Sequence, residues 1–495
     1  MAVMAAAPGS PYQPVLTPSG QPRGPLRDLA VLLRLDRLEG DVQMAVATVI
    51  AAVAVAAFLY LLREAFRERV SVKALVWLVV AAHVALLFVP LLFSRDVYSY
   101  AFYGRIAGVY GENPYVQTPL DHSSDMLWNY VGPKWVDTPA VYGPAWTTLS
   151  AGLSKVLSKP VDHVEAYRYL AIAASLATCA VLVRLVHRVA PRRTAFALAA
   201  FGANPVVLFH SVASGHNDLL VALAVVSALA LALDGRERTA VAVLTLGALV
   251  KATAFIPLVL LVLWLVARRP VGERIRPALH LSGVIVVLAA AFALPYMQAD
   301  DPTLGMVELA GHEGWLSPSK AVSRFAGWLT VDGVTVASRW AFAALLALSL
   351  AGLGRAVWNR ASVPGMPTPM LEETAACGWS LMLLTLLGPV LLPWYVVWSL
   401  PLVWAMPRVA RTAVIAAGAM LAVTLWSAEP LRYPKGFEVN LLVGHWMVAP
   451  ALLVLVGRAL LDLRSRLKTG AGLADASVGL PEDPQAEERV SAAAR

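Results

Sequence analysis

The sequence predicts an all-α fold, a polytopic bundle of transmembrane helices, and three observations carry that prediction. Of 495 residues, 58% are hydrophobic and only 15% are charged, against about 25% charged in soluble domains. Mean hydropathy is +0.65. Apolar runs of roughly 17 to 25 residues, the length that crosses a bilayer, recur along most of the chain. The net charge of +8 then belongs to connections on the cytoplasmic side, and no nucleic-acid partner is expected. Cys179 and Cys377 both sit inside apolar segments, which argues against a disulfide framework or a cysteine-based metal site.

Taken in order, residues 1–43 read as a disordered or interfacial lead-in. The opening is rich in Pro, Gly and Ser, with no basic region followed by an apolar one, so no cleaved signal peptide is expected. "LRDLAVLLRLDRLEG" (26–40) has the pattern of an interfacial helix. Residues 44–468 form the membrane domain. Its expected spans lie near 44–62, 74–93, 166–187, 195–212, 217–233, 239–253 and 255–268. They continue near 278–294, 336–353, 374–391, 394–406, 411–427 and 441–460, about thirteen in all. Residues 469–495 are polar and read as a disordered cytoplasmic tail.

Charge sets the orientation. The connections at 63–73, 184–193, 234–238, 267–276, 354–360, 407–411 and 457–468 are rich in Arg, which places them in the cytoplasm. Those at 94–165, 213–217, around Lys251, 295–335, 392–394 and 428–440 then face out, and the unusual chemistry gathers there. Segments 94–165 and 295–335 are longer than a plain connection needs, which favours function. A multi-pass protein of the plasma membrane, working on its external face, is the expectation.

Individual residues admit more than one reading. Asp96, in "SRDVYSYAFYGR" (94–105), is either the cap of an interfacial helix or a general base. In the second case Arg95 and Arg105 would keep it ionised and attract a phosphate. Tyr98 belongs to the same stretch. In "SGHNDLL" (214–220), Asn217 and Asp218 can cap a helix, yet His216, Asn217 and Asp218 together exceed what one cap needs. They suit a phosphate or sugar hydroxyls at a helix start. No second His or Cys stands at ligand spacing, so no metal and no cofactor is expected. Lys251 interrupts about 28 mostly apolar residues and is either a snorkelling side chain or a ligand for a lipid-linked phosphate. Tyr142, in "DTPAVYGP" (137–144), marks a turn and could stack on a sugar. Trp394 and Tyr395, in "LLPWYVVW" (391–398), are belt aromatics or site residues. Glu308, His312 and Glu313 are external loop charges.

"RDVYSYAFYGR", "DTPAVYGP", "SGHNDLLVAL", "ALVKATAF" and "LLPWYVVW", in that order over roughly residues 75 to 405, resemble the polyprenyl-phosphomannose-dependent α-1,6-mannosyltransferases. That family belongs to the GT-C glycosyltransferases. The resemblance implies a membrane glycosyltransferase with large external loops carrying interfacial helices. It implies a polyprenyl-phosphate sugar donor, most simply of mannose, and a glycan or glycolipid acceptor. Asp96 takes the place of the family's catalytic base in an inverting transfer. Arg105, Lys251 and His216 would face the donor phosphate, with Arg95, Tyr98, Tyr142, Asn217, Asp218, Trp394 and Tyr395 around the substrates. A secondary transporter and a lipid-linked oligosaccharide ligase of similar architecture are the competing expectations.

Overall fold

The computed structural model describes residues 1–14, 24–297, 316–328, 334–363, 369–424 and 433–478. Glu308, His312 and Glu313 lie outside the described residues, as does the start of the expected loop at 428–440. Among the described residues the chain is helical, with no strand.

The helices follow in chain order. First come α1 (Ala2–Ala6), α2 (Pro25–Leu32), α3 (Gly40–Phe66), α4 (Val72–Leu86), α5 (Asp96–Arg105) and α6 (Pro144–Ser154). Next are α7 (Pro160–Val189), α8 (Thr194–Gly202), α9 (Asp218–Leu233), α10 (Glu237–Val250), α11 (Phe255–Ala267) and α12 (Ile275–Ala293). Last are α13 (Pro318–Trp328), α14 (Val334–Ala361), α15 (Pro369–Leu387), α16 (Arg408–Ala422), α17 (Pro434–Val443) and α18 (Ala449–Thr469).

Among the described residues, six helices are long and apolar enough to cross a membrane, or up to seven if one bent pair is a single span. This is a membrane protein. α3, with 27 residues, measures about 40 Å, more than the hydrocarbon thickness of about 30 Å. α4, α9 and α11 are apolar but shorter. The bent pair, Pro191–Gly202 and Val206–Val212, turns by 44° at Asn204 and Pro205. Proline cannot donate to the helix ladder and crowds the preceding turn. The Asn204 amide covers the break, donating to the Ala200 carbonyl and accepting from the Val206 amide, both at 3.0 Å.

The expected span at 394–406 is not an α-helix. Pro393–Trp398 and Leu400–Leu402 are short 3-10 turns, because Pro393, Pro401 and Pro407 each remove an amide donor. The segment is nonetheless buried, with Trp398, Leu400, Leu402 and Trp404 at most 2% exposed. Its hydrophobicity comes from a place in the core. Likewise α4 stops at Leu86, and residues 87–95 leave it as irregular chain rather than continuing the span to 93.

Parts of both chain ends expected to be disordered are packed. Met4, Ala5 and Tyr12 are buried, and the Tyr12 hydroxyl donates to the Ala47 carbonyl. Within the segment 26–40, α2 is helical over Pro25–Leu32, with Leu32 77% exposed. At the other end Leu473 and Val478 are buried, and Asp475 pairs with Arg411 at 2.8 Å.

The Arg-rich connections gather at one end of the bundle. Arg193 and Arg411 both lie over the Phe66 ring. Arg184 and Arg188 hold Asp234, and Arg269 holds Glu237. Arg274 reaches Ser362, and Arg360 donates to the Gly470 carbonyl. These contacts tie 63–73, 184–193, 234–238, 267–276, 354–360, 407–411 and the end of α18 together. The opposite end carries α5 and an aromatic cluster built by Tyr98, Tyr100, Tyr103, Tyr130, Trp146 and Tyr167.

Candidate active site

The site begins where residues 87–95 enter α5. Phe93 has φ +55°, costly for a bulky residue. It is held there by stacking on His210 at 4.0 Å and by its amide, which donates to the Tyr12 carbonyl at 2.7 Å. Ser94 follows. Its Oγ accepts the Asp96 amide at 3.0 Å and donates to Asp96 Oδ1 at 2.8 Å. Ser94 thus satisfies an orphan amide of the first turn and leaves the Asp96 carboxylate facing out of the helix, 24% exposed. Helical phase puts Asp96, Tyr100 and Tyr103 on one face.

A second element meets that face. Val206–Val212 is wound as a π-helix, a form enriched at functional sites. It ends in a turn at Gly215, φ +68°, where a Cβ would come within 2.8 Å of Val97. The Ser214 hydroxyl donates to the Leu92 carbonyl at 2.7 Å and so ties this turn to the chain that leads to Asp96. His216 then stacks on Trp394 at 4.0 Å. Its Nδ1 lies 3.5 Å from Asp96 Oδ2 and 3.3 Å from the Tyr100 hydroxyl, which itself donates to Asn217 Oδ1 at 3.4 Å. With the Tyr100 proton used on Asn217, the network assigns the His216 proton to Nδ1. Burial, and then the nearby Lys251 charge, push the His216 pKa well below its ordinary value, so the ring is neutral.

The third element is the break between α10 and α11. Lys251 sits there in extended backbone, φ −152°. Its Nζ donates to Asp218 Oδ1 at 2.7 Å and lies 4.6 Å above the Tyr395 ring and 5.3 Å above Trp398. Trp398 Nε1 donates to the same Asp218 oxygen at 2.7 Å. The fourth element is the turn before α6. The Gly143 amide donates to the Val250 carbonyl at 3.0 Å, and a Cβ there would meet the Leu249 oxygen at 2.1 Å. That close docking carries Tyr142 to within 4.7 Å of Tyr100 and to the neighbourhood of Asp96.

Burial raises the Asp96 carboxyl to about 6, opposed by the Ser94 hydrogen bond and the Lys251 charge. Asp96 thus lies closer to neutral pH than an ordinary aspartate. Three atoms beside it, His216 Nε2, Asn217 Nδ2 and Asp218 Oδ2, are buried with no hydrogen-bond partner among the described residues. Two acceptors and a donor are therefore left for a polar ligand. Among the described residues no three His, Cys, Asp or Glu side chains form a metal-ligand set.

The structure thus brings together Asp96, His216, Asn217, Asp218, Lys251, Tyr142, Trp394 and Tyr395. It does not bring Arg105, Tyr98 or Arg95 to them. Arg105 follows Asp96 by nine residues, about 180° round the helix, and its Nε pairs with Asp125 at 2.7 Å beside Tyr110. Tyr98 is buried against Tyr130 at 4.9 Å, and Arg95 reaches the Val131 carbonyl. Ser94, Tyr100 and Trp398 are contacts the sequence reading did not assign. The spacing of 96, 100 and 103 was the available signal for Tyr100.

A family model described as alpha-(1->6)-mannopyranosyltransferase, N-terminal domain, matches residues 15–268. Alpha-(1->6)-mannopyranosyltransferase A of Mycobacterium tuberculosis is 29% identical over 350 residues, 67% of this chain and 65% of that protein. Alpha-(1->6)-mannopyranosyltransferase B of Corynebacterium glutamicum is 24% identical over 400 residues, 72% of this chain and 64% of that protein. The A protein of Corynebacterium glutamicum is 32% identical over 176 residues, 35% of each chain. The chain therefore spans less than two thirds of the length of these relatives. No solved structure matches. The family match takes in Asp96, Tyr142, the 214–218 turn and Lys251, and on it the chain belongs to the alpha-(1->6)-mannopyranosyltransferase family.

Proposed function

We propose that this protein is a GT-C-type membrane enzyme that moves a mannosyl residue from a polyprenyl-phosphate donor to a hydroxyl of a glycan or glycolipid acceptor. The reaction is placed on the external face of the plasma membrane and inverts the anomeric centre. The observation that carries this reading is the meeting of Asp96, His216 and Lys251, from three separate motifs, at the end of the bundle opposite its Arg-rich connections. By the positive-inside rule that end is external. The relatives' names supply the mannosyl group and the 1→6 linkage.

In this mechanism Asp96 accepts the proton of the acceptor hydroxyl as its oxygen bonds to the anomeric carbon. The bond from that carbon to the phosphate oxygen breaks on the opposite face, and its electron pair leaves with the phosphate. Lys251 is the cation of this network whose charge acts on Asp96. Its ammonium, fixed by Asp218 and two rings, has further N–H donors for the charge growing on the leaving group. His216, neutral, donates from Nδ1 toward Asp96 and leaves Nε2 to accept from a sugar hydroxyl, while Asn217 Nδ2 donates to another. Arg105, committed to Asp125, has no part in the step.

Membranes containing the protein, given radiolabelled polyprenyl-phosphate mannose, should yield a 1→6-linked mannosyl product. Transfer from a nucleotide-activated mannose alone, or uptake without transfer, would overturn the proposal.

A further inference from the structure

We infer that Arg168 of α7 is a positioning residue for the transfer and acts through the chain that carries Asp96, an inference that rests on the reaction proposed above. Arg168 lies within α7, a helix long and apolar enough to span the membrane. A charged side chain inside such a helix is costly and marks a functional role. It does not snorkel, because the residue is only 2% exposed. Its Nη1 donates to the Val89 carbonyl at 2.6 Å, while Nε and Nη2 have no hydrogen-bond partner among the described residues. The guanidinium is thus spent on a neutral backbone oxygen rather than on a carboxylate.

What that bond holds is the approach to the site. Val89, Pro90, Leu91, Leu92, Phe93 and Ser94 are all buried, yet they form no helix. A buried irregular segment must find its hydrogen bonds in other elements. The Val89 carbonyl accepts from Arg168, the Leu92 carbonyl accepts from Ser214, and the Phe93 amide donates to Tyr12. The same turn of α7 backs the other half of the site. A Cβ at Gly215 would lie 3.5 Å from the Arg168 amide nitrogen and from the Tyr167 carbonyl carbon, so the turn that presents His216 rests on this backbone. The Tyr167 ring lies 5.4 Å from the Tyr100 ring. Asp96 and His216 are therefore both registered to one helix, the first through the Arg168 side chain and the second through the backbone at 167–168. Arg168 sets the spacing between the base and the groups that face the sugar. A misplacement of about 1 Å in such an arrangement can cost about 100-fold in rate.

Arg168→Met keeps the apolar stem and loses the donor, whereas Arg168→Lys keeps a charge and a donor. Each is assayed in membranes with polyprenyl-phosphate mannose, alone and combined with Asp96→Asn, and rates are taken per folded protein. Arg168→Met should lower kcat by about 10- to 100-fold with donor KM unchanged. Arg168→Lys should recover most of that rate. In the Asp96→Asn background Arg168→Met should cost nothing further, because the base it positions is already gone. Unchanged kcat in Arg168→Met, a rise in donor KM alone, or losses that multiply in the double variant would overturn the inference. Arg168→Gln, shorter but still a donor, carries the same cycle if Arg168→Met does not fold. Failure of the unaltered protein to use any polyprenyl-phosphate donor would instead remove the proposed reaction itself, and the role of Arg168 with it.

Discussion

The Lys251 ammonium lies 2.7 Å from a fully buried Asp218 carboxylate, with its own side chain only 13% exposed. It neither snorkels nor waits for lipid phosphate as its only counter-charge. The pair holds the broken end of α10 against the start of α9 and fixes the cation beneath Tyr395 and Trp398. Removing one partner of a buried pair leaves an uncompensated charge, at a cost of about 3 to 5 kcal/mol. Asp218→Asn and Lys251→Met should each lower thermal stability in detergent, and the double variant by clearly less than their sum. Additive losses would mean that the pair is not coupled.

Asp96, raised to about 6 by burial, sets a pH dependence. A base works in its ionised form, so transfer should be full above that value and fall as pH drops through it. Ser94 and Lys251 both hold the carboxyl below what burial alone would give. Ser94→Ala and Lys251→Met should therefore shift the acid limb of kcat/KM to higher pH. A limb that stays fixed in both variants would show that another group titrates.

Arg105 makes a contrasting case. Its partner Asp125 is pushed up by burial, but the Tyr110 hydroxyl, the Leu127 amide and Arg105 outweigh that and hold it below the usual carboxylate range. Arg105→Gln should loosen residues 111–143, seen as faster limited proteolysis, with donor KM unchanged. A rise in donor KM without added proteolysis would restore the phosphate role that the sequence suggested.

The sequence was legible where one residue acts through its own chemistry. Arg in the connections sorted the two ends of the bundle, and the polar residues stranded among apolar ones, Asp96, His216, Asp218 and Lys251, are those that meet. What it hid were relations set by geometry. Arg105 is near Asp96 in sequence and on the far side of the helix. The apolar run 394–406 reads as a span, yet its prolines make it a buried irregular segment. Tyr12, in a stretch with the composition of a disordered tail, is buried because Phe93 and the Ala47 carbonyl receive it. Composition carries no trace of such a partner.

Sidedness can be read directly. Ser123 and Gly235 are exposed at opposite ends of the bundle, and the native Cys179 and Cys377 are buried. A cysteine at Ser123 should react with a membrane-impermeant thiol reagent in intact cells, and one at Gly235 should not. The reverse pattern would invert the topology.

Asp96→Asn bears most directly on the central claim. Asn keeps the size of Asp and can still accept from Ser94, while the Asp96 amide remains held by Ser94 Oγ. The variant should fold, insert and bind polyprenyl-phosphate mannose as the unaltered protein does. What it loses is the capacity to take a proton, so its transfer rate should fall by about 100-fold or more. Near-normal turnover in Asp96→Asn would contradict the assignment of Asp96 as the base.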